Sequence, residues 1–124
     1  MESEAITREI IGAGMEVHRL LGPGYLESIY RRAMIRALSS RGLPIQTEMV
    51  VEILYKGERI GQHRLDLIVA NEVVVELKCV AKLAEIHRAQ TISYLKATGI
   101  SVGLVLNFAG TSLTWHRIIF SKSA

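Results

Sequence analysis

Charged residues interrupt two apolar segments that otherwise have the composition of buried strands. The segment VVVELKCV at 73–80 is broken by Glu76 and Lys78, and the segment LDLIV at 65–69 is broken by Asp66. Because side chains alternate between the two faces of a strand, Glu76 and Lys78 share one face. Carboxylates beside an ammonium group suit a divalent cation and a negatively charged reaction centre. The alternative is a structural ion pair between Glu76 and Lys78, with Asp66 at an exposed edge.

The turn between the two segments decides whether the two carboxylates meet. A three-residue loop at 70–72 pairs Val69 with Val73 and therefore Asp66 with Glu76, with their β-carbons about 5 Å apart on one surface. Like charges at that separation repel each other, which favours a raised pKa or a cation between them. A two-residue loop shifts the register by one residue and places the carboxylates on opposite faces. The sequence leaves both registers open.

Helical segments on either side of these strands carry three further candidate polar groups. Glu27 lies at the edge of the apolar stripe of a helix at 25–40, where, taken by itself, a favourable interaction with the helix dipole is the preferred explanation. Gln90 and Tyr94 are one turn apart in a helix at 83–97 and align with its apolar positions. A hydrogen bond from Gln90 to nearby backbone is the structural alternative for that glutamine.

The elements that must position these groups follow from periodicity. Helical spacing predicts helices at 5–21, 25–40 and 83–97, and β-branched or alternating segments predict strands at 45–55, 58–69, 73–80, 101–108 and 113–120. The order ααβββαββ predicts an α/β fold in which helices flank a mixed sheet. The segment at 73–80 is apolar on both faces and is therefore expected in the middle of that sheet.

Length and composition limit the class of protein. The 124 residues, 49% of them hydrophobic, predict a single globular domain over 1–124. A net charge of +3 permits a polyanionic partner without requiring one. The sequence has no apolar run long enough to span a membrane, and its acidic start does not resemble a signal peptide. The single Cys79 suits a reducing compartment, so we expect a cytoplasmic protein.

Together these residues resemble the PD-(D/E)XK nuclease superfamily. Its signature is an aspartate, a variable gap and then Glu-x-Lys on the next strand, preceded by a helix that carries a glutamate. Here Asp66 is followed after nine residues by Glu76-Leu77-Lys78, with Glu27 upstream, although Leu65 stands where the signature has proline. The segments GYLESIY at 24–30, QTISYLK at 90–96 and GLVLNF at 103–108 resemble the GxxExxY subgroup of that superfamily.

The resemblance implies hydrolysis of phosphodiester bonds in DNA, or less favourably RNA, with Mg²⁺ or Mn²⁺ as cofactor. Asp66, Glu76 and the carbonyl of Leu77 would hold the metal, and Glu27 would contact a second metal or a metal-bound water. Lys78 would orient the attacking water or stabilise developing negative charge. These four carboxylate and lysine side chains have a formal net charge of −2, which one divalent ion balances.

Further residues are expected to contact the substrate. The resemblance implies that Gln90 and Tyr94 position the phosphate backbone or the attacking water. Five arginines are candidates for phosphate contacts, although such residues also form ordinary solvated faces: Arg31, Arg32, Arg36, Arg64 and Arg88. A homodimer would let so small a nuclease cut both strands. The alternative function is a catalytically inactive module on the same fold that binds nucleic acid or another protein.

Overall fold

The computed structural model describes residues 2–121, in which five strands form one mixed sheet flanked by helices. The elements are α1 (Ser3–Leu21), α2 (Glu27–Ser40), β1 (Ile45–Thr47), β2 (Val50–Tyr55), β3 (Glu58–Arg64), β4 (Leu67–Val69), β5 (Val73–Lys78), α3 (Glu85–Thr98), β6 (Val102–Asn107) and β7 (Thr114–Ile119). The main sheet has the order β1-β4-β5-β6-β7, with β5 and β6 parallel and the other neighbours antiparallel. The predicted α/β fold and the central position of β5 are confirmed.

The prediction of continuous strands at 45–55 and 58–69 is wrong, because each of them breaks into two. Glu48 has a positive φ of 57°, which lies outside the β region, and the opposite strand bends between Arg64 and Leu67. Strands β2 and β3 therefore form a separate two-stranded sheet. The same pairing register continues through the break. The four strands are thus one long hairpin that bends away from the main sheet at its middle.

The turn between β4 and β5 has the three-residue length that brings the interrupted segments into register. Ala70 and Asn71 both have positive φ, at 53° and 55°, and the amide of Glu72 donates to the carbonyl of Val69 at 3.0 Å. Val69 pairs with Val73 across the hairpin. The register with a three-residue loop is therefore confirmed, and the two-residue alternative is excluded.

One face of the main sheet packs against α1 and α2. Val75 and Leu77 of β5 and Leu104 of β6 are buried on this side. The helices cover them with large, fully buried side chains: Ile6, Ile10, Tyr30, Met34 and Leu38. Within residues 2–121, none of the helices combines the length and the apolar composition that a membrane crossing requires.

The opposite face of the sheet packs against α3. Val74 of β5 and Val105 of β6 are buried there together with Leu95 of α3. Gly103 allows close contact, because a β-carbon added at this position would lie 2.5 Å from Cγ2 of Thr91. The helix that carries Gln90 and Tyr94 is therefore held directly against the two central parallel strands.

Candidate active site

Asp66 and Glu76 meet where the hairpin bends away from the main sheet. The β4–β5 ladder ends at Leu67, and Asp66 occupies the next position, opposite Glu76. The Asp66 amide donates to Oε1 of Glu76 at 3.3 Å, and the Leu77 amide donates to Oδ2 of Asp66 at 2.9 Å. Each carboxylate thus accepts a hydrogen bond from the backbone of the opposite strand. This reciprocal contact fixes both acidic groups at one edge of β5.

The environment of Glu76 disfavours its charged form. Only 6% of this residue is exposed, and burial followed by the nearby Asp66 carboxylate raises the pKa of Glu76 to about 8. The positive charge of Lys78 acts in the opposite direction and lowers it. At neutral pH the Glu76 carboxyl is therefore mostly protonated unless a further cation approaches it.

Glu27 reaches the same edge of β5 from the first turn of α2. Its Oε2 accepts a hydrogen bond of 3.3 Å from the amide of Cys79, two residues beyond Leu77. Amides two residues apart on a strand point to the same side, so Glu27 and Asp66 bind successive amides along one edge. Burial, followed by the charge of Glu27, raises the pKa of the Cys79 thiol. Glu27 thus contacts the same strand edge as Asp66, and its convergence with the two strand carboxylates on one metal ion stays a prediction.

Tyr30 holds the turn that delivers Glu27, a role that the sequence analysis missed. Its hydroxyl donates to the carbonyl of Gly22, and it accepts a hydrogen bond of 3.3 Å from the amide of Tyr25. The Tyr30 ring is fully buried and stacks on Phe108, with ring centroids 4.5 Å apart. The signal was present in the sequence, because a tyrosine in an apolar helix position needs a partner for its hydroxyl.

Arg31 also belongs to this cluster. Its Nε donates to Oδ1 of Asp66 at 2.9 Å, with the Asp66 side chain 13% exposed and the Arg31 side chain 37% exposed. Arg31 therefore contacts a carboxylate here, and its predicted contact with a substrate phosphate stays a prediction. It also changes the charge count, because a second cation beside Lys78 reduces the net charge of the site from −2 to −1.

Asn107 anchors the chain immediately after Lys78. Its side-chain oxygen accepts from the amide of Val80 at 3.2 Å, and its side-chain nitrogen donates to the carbonyl of the same residue at 2.9 Å. The amide of Phe108 donates to the carbonyl of Lys78 at 3.0 Å. Asn107 is buried, and a polar residue that ends an apolar strand was the available sequence signal. These contacts fix the end of the strand that presents Lys78.

Tyr94 approaches the carboxylates from α3. Burial, followed by the negative charges of Glu76 and Asp66, raises the pKa of Tyr94 to about 12, so its phenol stays neutral at physiological pH. Gln90 lies one turn earlier on the same helix and is half-buried. His87, one turn before Gln90, contacts the backbone at the start of α3 instead, where its Nδ1 accepts a hydrogen bond of 2.9 Å from the amide of Ala84.

The other four predicted arginines lie on the surface rather than among the carboxylates. Arg32 and Arg36 are exposed on α2, one turn apart. Arg64 is exposed on β3, with its guanidinium 3.8 Å from Glu48. Arg88, near the start of α3, lines a shallow pocket of about 380 Å³. A larger cleft of about 720 Å³ lies between β2 and the end of α3 and does not include the carboxylates.

The residues have the kinds of donor atom that bind a divalent cation, but their side chains are not arranged around a single position. Within residues 2–121, no three His, Cys, Asp or Glu side chains come close enough together to hold a metal ion. At Asp66, Arg31 and the Leu77 amide each contact one of the two carboxylate oxygens. The oxygen donors of Asp66 and Glu76 are nevertheless those that Mg²⁺ and Mn²⁺ prefer.

Comparison with known proteins identifies the family of the chain. A family model described as the PD-(D/E)XK nuclease superfamily matches residues 4–118. The chain therefore belongs to the PD-(D/E)XK nuclease superfamily, and members of that superfamily generally use divalent metals. No curated protein is significantly similar to the chain in sequence.

Two solved structures share the fold. The crystal structure of SSO0001 superposes with a TM-score of 0.63 at 20% identity, over 78% of this chain and 52% of that one. An alkaline exonuclease (LHK-Exo) from Laribacter hongkongensis superposes with a TM-score of 0.56 at 14% identity, over 82% of this chain and 63% of that one. The chain thus spans about half of the first protein and under two thirds of the second.

Proposed function

We propose that this protein is a divalent-metal-dependent nuclease that hydrolyses phosphodiester bonds of DNA, with RNA as the less favoured substrate. The observation that carries the proposal is the reciprocal contact between Asp66 and Glu76 at the edge of the central strand, two residues before Lys78. Membership of the superfamily and the likeness in fold to an alkaline exonuclease support the same class of reaction.

Asp66 and Glu76 would hold Mg²⁺ or Mn²⁺ together with the carbonyl of Leu77. The Leu77 carbonyl points to the same strand edge as its amide, which already contacts Asp66. Glu27, on the next amide along that edge, would contact a second metal or a metal-bound water. A bound divalent ion supplies a water of lowered pKa and neutralises charge on the scissile phosphate.

Lys78 and two residues of α3 would complete the chemistry. Lys78 lies on the same face as Glu76 and would donate a hydrogen bond to the attacking water or to a phosphate oxygen as negative charge develops. Tyr94 would act as a hydrogen-bond donor rather than a base, because its phenol stays protonated at neutral pH. Gln90, one turn away, would position the backbone of the substrate strand.

Surface arginines would hold the phosphate backbone on either side of the scissile bond. Arg32 and Arg36 offer two guanidinium groups on the exposed face of α2. Arg88 shares its pocket with Lys82 and His116 and with the acidic Glu85, so this end of α3 has a small excess of positive charge. Arg64 would contact the substrate from the projecting two-stranded sheet. Such contacts fix the position of the duplex without reading its sequence.

Three further proposals follow from the sequence. The GYLESIY segment, whose Tyr30 holds the turn before Glu27, supports assignment to the GxxExxY subgroup. A homodimer would allow cleavage of both strands of a duplex. The single half-buried Cys79 supports a cytoplasmic location. Size-exclusion chromatography with light scattering tests the homodimer, with a mass of about 28 kDa expected against 13.8 kDa for one chain.

Cleavage assays with a matched control test the nuclease proposal. Plasmid, linear and single-stranded DNA, and RNA, are incubated with the protein and Mg²⁺, Mn²⁺ or EDTA. Asp66→Asn keeps the shape of the side chain and should abolish cleavage. Glu72→Gln, at the exposed turn between β4 and β5, should retain cleavage. Cleavage that survives both EDTA and Asp66→Asn would remove metal and carboxylate from the reaction.

One observation favours the alternative of an inactive binding module. Asp66 already has a positively charged partner in Arg31, 2.9 Å away, so its charge is balanced without a metal ion. Calorimetry separates the two functions, because a nuclease should bind Mn²⁺ in the absence of DNA. Tight DNA binding without any binding of divalent ions would support the inactive module instead.

A further inference from the structure

Arg31 and a divalent cation would compete for the same carboxylate. Arg31 Nε lies 2.9 Å from Oδ1 of Asp66, while the other oxygen accepts from the Leu77 amide at 2.9 Å. Asp66 therefore has both oxygens engaged. A cation between Asp66 and Glu76 would stand next to the guanidinium group, where two like charges repel each other. Metal binding and the Arg31 contact thus oppose each other.

The charge balance of the cluster favours a phosphate as the new partner of Arg31 once it leaves Asp66. The three carboxylates of Glu27, Asp66 and Glu76 against the cations of Lys78 and Arg31 give a formal charge of −1. Addition of one divalent ion makes the cluster +1, which matches the single negative charge of a phosphodiester. The Arg31 side chain is 37% exposed, so its guanidinium can turn to the solvent side of the site without unpacking the core.

We propose that Arg31 is a positioning residue that exchanges partners: it neutralises Asp66 in the metal-free protein and binds a substrate phosphate once a divalent cation has taken Asp66. This inference rests on the proposed function, because it requires the cation site at Asp66 and Glu76. Arg31 thereby couples metal binding to nucleic-acid binding. Without a cation the guanidinium stays on Asp66 and adds little to the affinity for nucleic acid.

Two binding experiments on the full chain test the exchange. Mn²⁺ affinity is measured by calorimetry without nucleic acid for the wild type, Arg31→Met and Arg31→Gln. Loss of the competing charge should tighten Mn²⁺ binding by about three- to tenfold. Arg32→Met is the matched control, since it removes the same charge from the exposed next position of α2 and should leave Mn²⁺ affinity within about twofold.

The second experiment measures the affinity for a short duplex with EDTA and then with Ca²⁺, a divalent ion added in place of Mg²⁺ to limit cleavage. Arg31→Met should match the wild type in EDTA. With Ca²⁺ it should bind about three- to tenfold more weakly, with a salt slope lower by about one phosphate contact. Arg32→Met should weaken binding equally under both conditions. This dependence on the cation is not expected of an arginine that only stabilises the fold.

The results separate failure of the Arg31 exchange from failure of the nuclease proposal. Mn²⁺ binding that is unchanged or weaker in both Arg31 variants, while wild-type cleavage still requires Asp66, would overturn the exchange and leave the nuclease proposal intact. Equal losses of DNA affinity in EDTA and Ca²⁺ would also overturn it. Absence of Mn²⁺ binding in all variants, with cleavage insensitive to Asp66→Asn, would remove the proposed function and the exchange with it. Circular dichroism confirms that each variant is folded. If Arg31→Met does not fold, Arg31→Gln is used in its place.

Discussion

The two faces of the central strand β5 are built on opposite principles. Val75 and Leu77 point towards α1 and α2, are fully buried and belong to the apolar cluster on that side. On the other face Val74 is equally buried, but the positions that follow it are Glu76 and Lys78. A buried carboxyl with a pKa of about 8 destabilises the metal-free fold at neutral and alkaline pH. The first face therefore supplies stability, and the second gives up some stability to keep charged groups in place.

The largest effect is expected from the charged face. Lys78→Met keeps the length and packing of the side chain but removes its positive charge. Because loss of a group that stabilises developing charge typically costs about 10²–10⁴-fold, we expect nuclease activity to fall within that range. Cleavage rates at saturating Mn²⁺ measure the loss. Mn²⁺ affinity should not fall, because a positive charge beside the cation site is removed, and melting temperature should change little. A large drop in melting temperature would contradict a purely functional role for Lys78.

The apolar face should respond in the reverse way. Leu104 of β6 is fully buried beside Val75, so Leu104→Ala should lower the free energy of unfolding by about 3–5 kcal/mol. Denaturant unfolding at low temperature measures this change. The folded fraction should still bind Mn²⁺ and cleave at close to the wild-type rate. If its activity fell as far as that of the Lys78 variant, the two faces would not be separable.

Much of this arrangement could be predicted from the sequence, because it depends on strand periodicity. The pairing of Asp66 with Glu76 follows from a loop length, and β5 is central because both of its faces are apolar. The bend at Glu48 could not be predicted, since β-branched residues continue on both sides of it and only the backbone conformation reveals the break. Because of that bend, the edge of β5 beyond Val75 is free to contact the carboxylate side chains.

The contact between Arg31 and Asp66 was beyond sequence reasoning for a different reason. It depends on the position of α2 across the end of the sheet, which is set by long-range packing of helix side chains such as Met34 and Leu38. Helical spacing predicted which residues of α2 share a face with Glu27, but not which strand residue that face meets. Periodicity therefore predicts the residues of the site, and packing decides how they pair.

The pH dependence of stability tests the cost that we assign to the charged face. The folded protein holds a proton on Glu76 between the ordinary value of 4.5 and about 8, whereas the unfolded chain does not, so the contribution of this group to stability falls as pH rises through that window. Between about pH 6 and 8 the loss should reach about 2 kcal/mol. Glu76→Gln should remove it.

The measurement is the difference in unfolding free energy between wild type and Glu76→Gln at each pH, without divalent ions. The variant should gain on the wild type as the pH rises, because its amide never ionises. Glu72→Gln, at the exposed turn, serves as the control and should give a flat difference. A flat difference for Glu76→Gln as well would mean that this carboxyl ionises without a cost and that the two faces are alike in stability.

The smallest effect is expected at Tyr94, which borders both the apolar layer and the carboxylates. With its pKa raised to about 12, the phenol can donate a hydrogen bond but cannot act as a base. Tyr94→Phe should therefore lower the cleavage rate by only about two- to tenfold, the value of one hydrogen bond. Ser93→Ala, at the exposed neighbouring position, should have no effect.

The pH profile of cleavage distinguishes this role from an acid–base one. Because the Tyr94 phenol does not ionise below about pH 10, the wild type and Tyr94→Phe should show parallel profiles between about pH 7 and 10. A limb of the profile that is present in the wild type and absent from the variant would make Tyr94 a proton-transfer group. The charged region of the site would then extend from β5 onto Tyr94 of α3. The apolar layer around Leu95 would no longer include Tyr94.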